Sequence, residues 1–370
     1  MDLDNFATWL EIDLGALENN YRILNKITGT PVMPVVKANA YGHGLEEVAK
    51  TVEKAGAQWC GVARIEEALL LRSAGIHMHI LVLGYTAPQC VQEAILNKIS
   101  LTLYDPLIVQ AYAQQAALLN QPLDVHVKID TGMGRLGIPS EKALKFILQV
   151  KEQQEFHFQG IFTHFACADE PKKPYTQKQL EKFNKILEQM QSQGIRPELI
   201  HSANSAAALN FPSARFDLVR CGLALYGLSP SYETHLPEGI KPTLSWKTRL
   251  ISIKQIPGGH GISYGYQYFT KNTEKIGVIA AGYGDGLRRQ MGNTVLLRGK
   301  RVPVVGNVCM DQCMLQLDHI PDARVGDEVV LIGKQGEVEI TVTEVAKNWN
   351  TISYEVICGM AARMPREYIH

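Results

Sequence analysis

From about residue 30 to about residue 225, short apolar runs rich in β-branched residues alternate with longer stretches whose apolar residues recur at i, i+3, i+4 and i+7. The runs are PVMPVVKA, WCGVAR, HILVLG, ISLTLY, LDVHVKID, FQGIFTHF, ELIHSA and FDLVRCG. Between them LEEVAKTVEKAG, EEALLLRSAG, PLIVQAYAQQAALLN, EKALKFILQVKEQQ and KQLEKFNKILEQMQSQG have the spacing of helices that bury one face. About eight strand–helix units in about 200 residues fit a closed (β/α)8 TIM-like barrel better than an open doubly wound sheet, which has fewer strands.

The alternation stops at SPSYETHLPEGIKP, a polar, Pro-containing stretch that reads as a linker. Beyond it LSWKTRLISIKQI, EKIGVIAAGYGDG, NTVLLRG, RVPVVGNVCM, DEVVLIG and EVEIT are short strands separated by Gly turns, with one helix near TVTEVAKNWN. The expected organisation is a barrel domain over residues 1–235 and a mainly β domain over residues 236–370.

Composition narrows the classes of function without choosing one. The 370 residues are 46% hydrophobic and 20% charged, a globular and not a disordered balance. Lys plus Arg equals Asp plus Glu at 37 each, so neither a nucleic-acid footprint nor a polybasic membrane signal is present. The acidic MDLDNFATWLEIDLG start lacks the positive charge of a secretory signal, and the expectation is a cytoplasmic protein. Seven scattered Cys without a CxxC pair suit reduced thiols. Cys309 and Cys313 in CMDQC fall in a strand-like segment with no further ligands nearby, which argues against a closed zinc site.

In a barrel the chemistry gathers where strands end, so the residues after each run are the candidates. Lys37 directly follows VMPVV; a lysine there, partly desolvated, has a lowered pKa and suits a Schiff base, the attachment that a pyridoxal cofactor requires. Tyr41, four residues on, can donate its hydroxyl to a phosphate. The fifth run ends Lys128-Ile-Asp130-Thr-Gly132-Met-Gly134-Arg135-Leu-Gly137, which contains G-x-G-x-x-G. A dinucleotide fingerprint would open a helix in the first βα unit, so these glycines instead fold a loop over the mouth and place Arg135 there. His164 ends the sixth run, the seventh leads to His201, Asn204 and Ser205, and the eighth ends in Arg220 and Gly222. Ser205 with the backbone N–H groups of Gly222 and Leu223 would form a phosphate site at the last two strands. A two-metal hydrolase with a carbamylated Lys128 would need H-x-H after the first strand, whereas His77 and His79 stand before the third.

VVKANAYGHG, VHVKIDTGMGRLG, THFACAD, HSANSAA, VRCGLALYG, ISYGY, AAGYGDGLRR, GNVCMDQ and YEVICGMAARMPREY together resemble alanine racemase, in order and across nearly the whole chain. The resemblance implies pyridoxal 5′-phosphate as cofactor, a small amino acid such as alanine as substrate, and a head-to-tail homodimer whose sites borrow residues from the partner's second domain. It implies Lys37 as the lysine that carries the cofactor, and Tyr41, Ser205, Gly222, Leu223 and Tyr354 around its phosphate, with Asn204 beside them. Arg220 resembles the arginine on the pyridine nitrogen, and His164 the histidine between it and the catalytic tyrosine. Tyr264 in GISYGY matches that tyrosine. Arg135 resembles the arginine near the phenolic oxygen, Lys128 the lysine whose carbamate holds it, Met310 and Asp311 the substrate-binding loop, and Tyr283 and Arg289 the lining of the entrance. Two positions depart from the pattern: Asn307 replaces the usual arginine before VCMDQ, and Cys167 a more usual threonine.

The chemistry is consistent with these residue types. Inverting an α-carbon requires a proton to leave one face and arrive on the other, so two opposed bases, Lys37 and Tyr264, are the simplest solution. A tyrosine serves only if neighbouring positive charge, here expected from His164 and Arg220, lowers its ordinary pKa of about 10. Arginine can only donate, so Arg220 would leave the ring nitrogen unprotonated and weaken the electron sink. Competing expectations are a broad-specificity racemase of serine, lysine or arginine, a non-catalytic pyridoxal-phosphate carrier, and a decarboxylase with an acidic residue in place of Arg220.

Overall fold

The computed structural model describes residues 6–370. The chain divides into two compact units, one of Ala16–Ala40 with Gly44–Pro242, the other of Thr243–His370 with residues 6–15 and with Tyr41–His43. Strand β1, Thr8–Asp13, belongs to the second unit.

In the first unit each of the eight apolar runs contains a strand: β2 Val32–Pro34, β3 Trp59–Val62, β4 His79–Val82, β5 Ile99–Leu103, β6 Leu123–Asp130, then, after the two-residue β7 Ile138–Pro139, β8 Phe156–Phe162, β9 Leu199–His201 and β10 Val219–Cys221. Strands β3, β4, β5, β6, β8 and β9 pair in parallel in that order, and β10 pairs in parallel with β2. The ring closes through the Val35–Gly61 bridge on one side, and on the other through Asp217 N–H to Ile200 O at 3.0 Å and Arg220 N–H to Ala203 O at 2.9 Å. Strands β3 and β5 are buried along their whole length, as expected where helices cover one face and the barrel interior the other.

The helices follow the sequence pattern closely. Helix Leu45–Lys54 buries Leu45, Val48, Ala49 and Val52, and carries Glu46 and Glu47 in its first turn and Lys54 in its last, matching the helix dipole. Each such Leu or Val contributes about 1.5–3 kcal/mol by leaving water. Helix Leu14–Thr28 precedes the stretch in which the alternation was read.

The second unit is built on β11 Leu244–Ile256, followed by β12 Gly261–Ile262, β13 Tyr268–Phe269, β14 Glu274–Ile279, β15 Thr294–Leu297, β16 Lys300–Val305, β17 Cys313–Gln316, β18 Glu328–Gln335, β19 Val338–Ile340 and β20 Arg366–Ile369. The order β18-β15-β16-β17-β14-β11 returns to β18, giving a small closed antiparallel barrel. Register breaks in β11 at Trp246/Lys247 and at Leu250/Ser252 bend the strand, whose first half pairs with β1 and β18 on its two edges and whose second half pairs with β14. Two helices, Val342–Asn348 and Ser353–Cys358, stand where one was expected.

The domain boundaries also differ from expectation. The units part at Pro242/Thr243, not at 235/236, and β1 joins the β unit because it pairs with β11 and β20 and buries Trp9, Leu10 and Ile12 on its two faces. Among the described residues no helix is long and apolar enough to cross a membrane.

Candidate active site

Lys37 stands just beyond β2, half-buried, and the chain after it does something L-residues avoid. Ala38, Asn39 and Ala40 have φ/ψ of 53/52, 55/47 and 52/50°, and Tyr41 has φ 54°, so the segment is one turn of left-handed helix. Without glycine this costs about 1–2 kcal/mol per residue, and such strain persists only where the surroundings hold it. Here Ala40 N–H donates to Val36 O at 2.8 Å, Gly44 N–H to Asn39 O at 3.0 Å, Leu45 N–H to the Asn39 side-chain oxygen at 2.8 Å, and Ala38 N–H to Glu67 Oε1 at 2.6 Å.

Strand β6 brings Lys128 inward, and its period of two puts His126 on the same face. The carboxylate of Asp130 accepts from the N–H groups of Gly132, Met133 and Gly134 at 2.9–3.1 Å, which folds the glycine loop into the shape that presents Arg135. Burial first, then the charges of Arg135, Arg220 and Lys37, pull the Lys128 ammonium down to about 8. Burial and the same set, with Lys128 itself, hold His164 well below the ordinary histidine range, so it is neutral. Four cationic side chains therefore act on one another at the strand ends, and the neighbouring carboxylate of Asp130 is already committed to backbone donors.

Arg220 is buried at the end of β10. Its Nη2 donates to Thr163 O at 2.8 Å and Ser202 O at 2.9 Å and meets His164 Nδ1 at 3.3 Å, while Nη1 meets His201 Nδ1 at 2.9 Å. No hydrogen bond among the described residues uses Nε. A guanidinium only donates, which fixes every proton behind it: His201 accepts at Nδ1 and donates from Nε2 to His126 Nδ1 at 3.0 Å, and His126 donates from Nε2 to Gln159 Oε1 at 3.2 Å. Ser100 Oγ donates to the same oxygen at 2.7 Å. Burial lowers the pKa of both imidazoles, that of His126 to about 3, so the chain is neutral and turns lone pairs toward Arg220. Gly160 of β8 makes room for it, since a Cβ there would lie 2.2 Å from His126 Nδ1.

Of the residues expected around the phosphate, Ser205, Gly222 and Leu223 lie together in the barrel unit. Ser205 Oγ accepts from Gly222 N–H at 2.9 Å and Ala224 N–H at 3.4 Å, while the Leu223 side chain is buried and offers only its backbone. The Asn204 side-chain oxygen caps helix Ser205–Asn210 by accepting from Ala207 N–H at 3.0 Å, and its Nδ2 donates to Phe165 O at 3.4 Å.

Within the β unit, Tyr41 and Tyr354 have ring centroids 6.2 Å apart, and burial raises the pKa of Tyr41, so its hydroxyl stays a donor. Segment 307–311 is the hub of the other expected residues. Asn307 Nδ2 donates to Tyr264 O at 2.7 Å and Ser263 Oγ to Asn307 O at 2.6 Å, Tyr283 N–H donates to Cys309 O at 3.0 Å, and Gly284 N–H to Met310 O at 2.8 Å. Arg363 bridges Asp285 and Asp311 at 2.8 Å each. Arg289 is exposed nearby in sequence. Tyr264, Tyr266, Phe269 and Met310 are 71, 63, 57 and 53% exposed, a concentration of large apolar groups that isolated surfaces seldom carry.

The family model described as alanine racemase, N-terminal domain, matches residues 12–230, and that described as alanine racemase, C-terminal domain, matches residues 243–368. The chain belongs to the alanine racemase family. The alanine racemase of Symbiobacterium thermophilum is 44% identical over 100% of this chain and 99% of its own, and that of Halothermothrix orenii is 44% identical over 98% and 96%. Among solved structures, the alanine racemase of Bacillus anthracis with bound L-Ala-P is 42% identical with a TM-score of 0.94, covering 98% of this chain and 95% of that one. The alanine racemase of Clostridium difficile 630 in complex with cycloserine is 37% identical with a TM-score of 0.91, covering 99% and 96%. The expected fold and racemase class stand on this membership, and the relatives' names give no support to the broad-specificity alternative.

In this member of the alanine racemase family the structure also brings in residues that the sequence alone did not mark. His201 was noted in the seventh unit without a role, and His126, Gln159 and Glu67 were not singled out. His126 had a readable signal, its place two residues before Lys128 in an alternating strand; Glu67 had none.

Proposed function

We propose that this protein interconverts L- and D-alanine by moving the α-proton between Lys37 on one face of the substrate and Tyr264, supplied by a second copy of the chain, on the other, with pyridoxal 5′-phosphate as cofactor. The observation that carries this reading is the mouth of the barrel: Lys37, Lys128, Arg135 and Arg220 act on one another beside a carboxylate already bonded to three backbone amides. Positive charge concentrated in this way favours an anionic ligand.

The residues fit that cofactor. Ser205 Oγ and the Leu223 N–H suit the phosphate, the Gly222 N–H would turn to it from Ser205 Oγ, and the Tyr41 and Tyr354 hydroxyls are the further donors that the family resemblance implies. Arg220, held in plane by its two outer nitrogens, has Nε to offer an aromatic nitrogen. Lys37 supplies the amine for attachment. When bound, the cofactor supplies a conjugated ring that delocalises the electron pair left at the α-carbon.

The chain's own groups account for the remainder. Lys37 takes or returns the proton on its face, and the hydroxyl of Tyr264 serves the opposite one. Arg220 can give the ring nitrogen a hydrogen bond but not a proton, which limits charge accumulation and disfavours side reactions. Arg135 and the Met310–Asp311 loop orient the substrate carboxylate and the cofactor's phenolic oxygen, and a carbamate on Lys128 would anchor Arg135. Tyr283 and Arg289 line the approach. The exposed aromatic group around Tyr264 supports a homodimer in which this surface meets another barrel.

The test is solvent deuterium. In D2O the protein should place deuterium on the α-carbon of alanine starting from either enantiomer, and Lys37→Ala should abolish it. Tyr264→Phe should still exchange the α-proton of one enantiomer without inverting it; full racemisation in that variant would remove Tyr264 from the mechanism.

A further inference from the structure

We infer that Glu67 is a positioning residue for Lys37, a carboxylate that pins the left-handed turn from a neighbouring strand–helix loop. The proposal deepens the reading of Lys37 as the cofactor-bearing base and rests on it.

Glu67 is the third residue of helix Ile65–Ser73, where a glutamate ordinarily reaches back to cap its own helix. One oxygen does this, Oε2 accepting from Ala63 N–H at 2.8 Å and from Arg64 N–H at 3.2 Å. The other leaves the helix: Oε1 accepts from Ala38 N–H at 2.6 Å, the amide immediately after Lys37. One carboxylate thus joins the loop after β2 to the loop after β3. The hydrogen bonds of Ala40, Gly44 and Leu45 arise within residues 36–45, whereas this one ties the turn to a separate element. It acts on Ala38, the first of four left-handed residues, where release would let the backbone rotate toward the favoured region and swing Lys37.

The two roles of Glu67 separate cleanly on substitution. Gln caps a helix at this position nearly as well as Glu, so a purely capping role predicts a near-silent Glu67→Gln. Pinning requires an acceptor at both ends of the side chain, and an amide has one oxygen; its NH2 would face an N–H whichever way it turns.

The experiment compares wild type, Glu67→Gln, Ala38→Gly and the double variant. In apoprotein, amide exchange of the peptide covering residues 37–41 should be about 10-fold faster in Glu67→Gln, with peptides elsewhere unchanged. In holoprotein, cofactor should dissociate about 10-fold faster, and kcat should fall more than KM changes. Glycine accepts a left-handed φ without strain, so Ala38→Gly should restore much of the cofactor retention in the double variant, and should do so even where Glu67→Gln alone is too unstable to purify. Wild-type exchange at 37–41 in Glu67→Gln, or no rescue by Ala38→Gly, would overturn the proposal. If instead Lys37 is not the residue labelled by borohydride reduction of the holoprotein, the proposed function fails while the exchange result stands by itself.

Discussion

Single residues at the barrel mouth are tuned by their neighbours, and Lys128 shows this most directly. Its ammonium is displaced from 10.5 to about 8, so between those values the folded state binds fewer protons than the unfolded chain. Stability contributed by this group therefore rises with pH through that window, and below about 8 the folded protein bears the full penalty, on the order of 3 kcal/mol. In CO2-depleted protein Lys128→Met should raise the melting temperature at pH 7 and flatten its rise toward pH 10, and against bicarbonate-supplied wild type it should lower kcat about 10-fold or more because Arg135 lacks its anchor; calorimetry and steady-state assay check both. Bicarbonate should reactivate the depleted wild type and leave the variant unchanged. At Arg220 a carboxylate would face the lone pairs of His201 and His164 and the carbonyls of Thr163 and Ser202. Arg220→Glu should cut racemisation at least about 100-fold and raise keto-acid release per turnover, measurable with a coupled dehydrogenase. Most of these residues were legible because they end apolar runs and carry charge. The imidazole chain behind Arg220 was not, because a donor–acceptor order depends on which strands lie side by side, and neutral buried histidines look in sequence like any others.

At the scale of elements, the strands were the easiest to read and the turn after Lys37 the hardest. Eight runs became eight strands because parallel barrel strands are apolar throughout, and a continuous apolar run needs no knowledge of its partners. Nothing in KANAY announces a left-handed helix, since none of its residues is glycine; the conformation is imposed by Asn39, Glu67 and the flanking loops. Gly160 is a related case, an apparently ordinary strand glycine whose missing side chain is filled by the His126 ring from the adjacent strand. Gly160→Ala should destabilise the protein by about 1–3 kcal/mol in denaturant titration, and should shift the His126 and His201 ring-nitrogen resonances, reporting displacement of the relay.

For the whole molecule, the decisive claim is that each site is completed by another chain. Lys37→Ala and Tyr264→Phe parents, each inactive in racemisation, should regain roughly a quarter of wild-type activity when unfolded and refolded together, because half of the dimers would contain one intact site of two. No recovery would mean that both residues act from the same chain. The division into two units was visible in the change of texture after residue 228, but the membership of β1 was not, because its only partners, β11 and β20, come from the far side of the barrel sequence. That pairing has a consequence for biosynthesis. Leu10 lies opposite Arg366 in parallel register, so the barrel is an insertion between the first strand of the β unit and the rest of it. During translation β1 can meet β11 only after the whole barrel sequence has been made, and its other edge waits for β20 until nearly the last codon, so a costly long-range loop closure falls at the end of assembly. Losing even the final few residues would leave a finished barrel attached to an exposed strand edge, ready for proteases or for pairing with a neighbour.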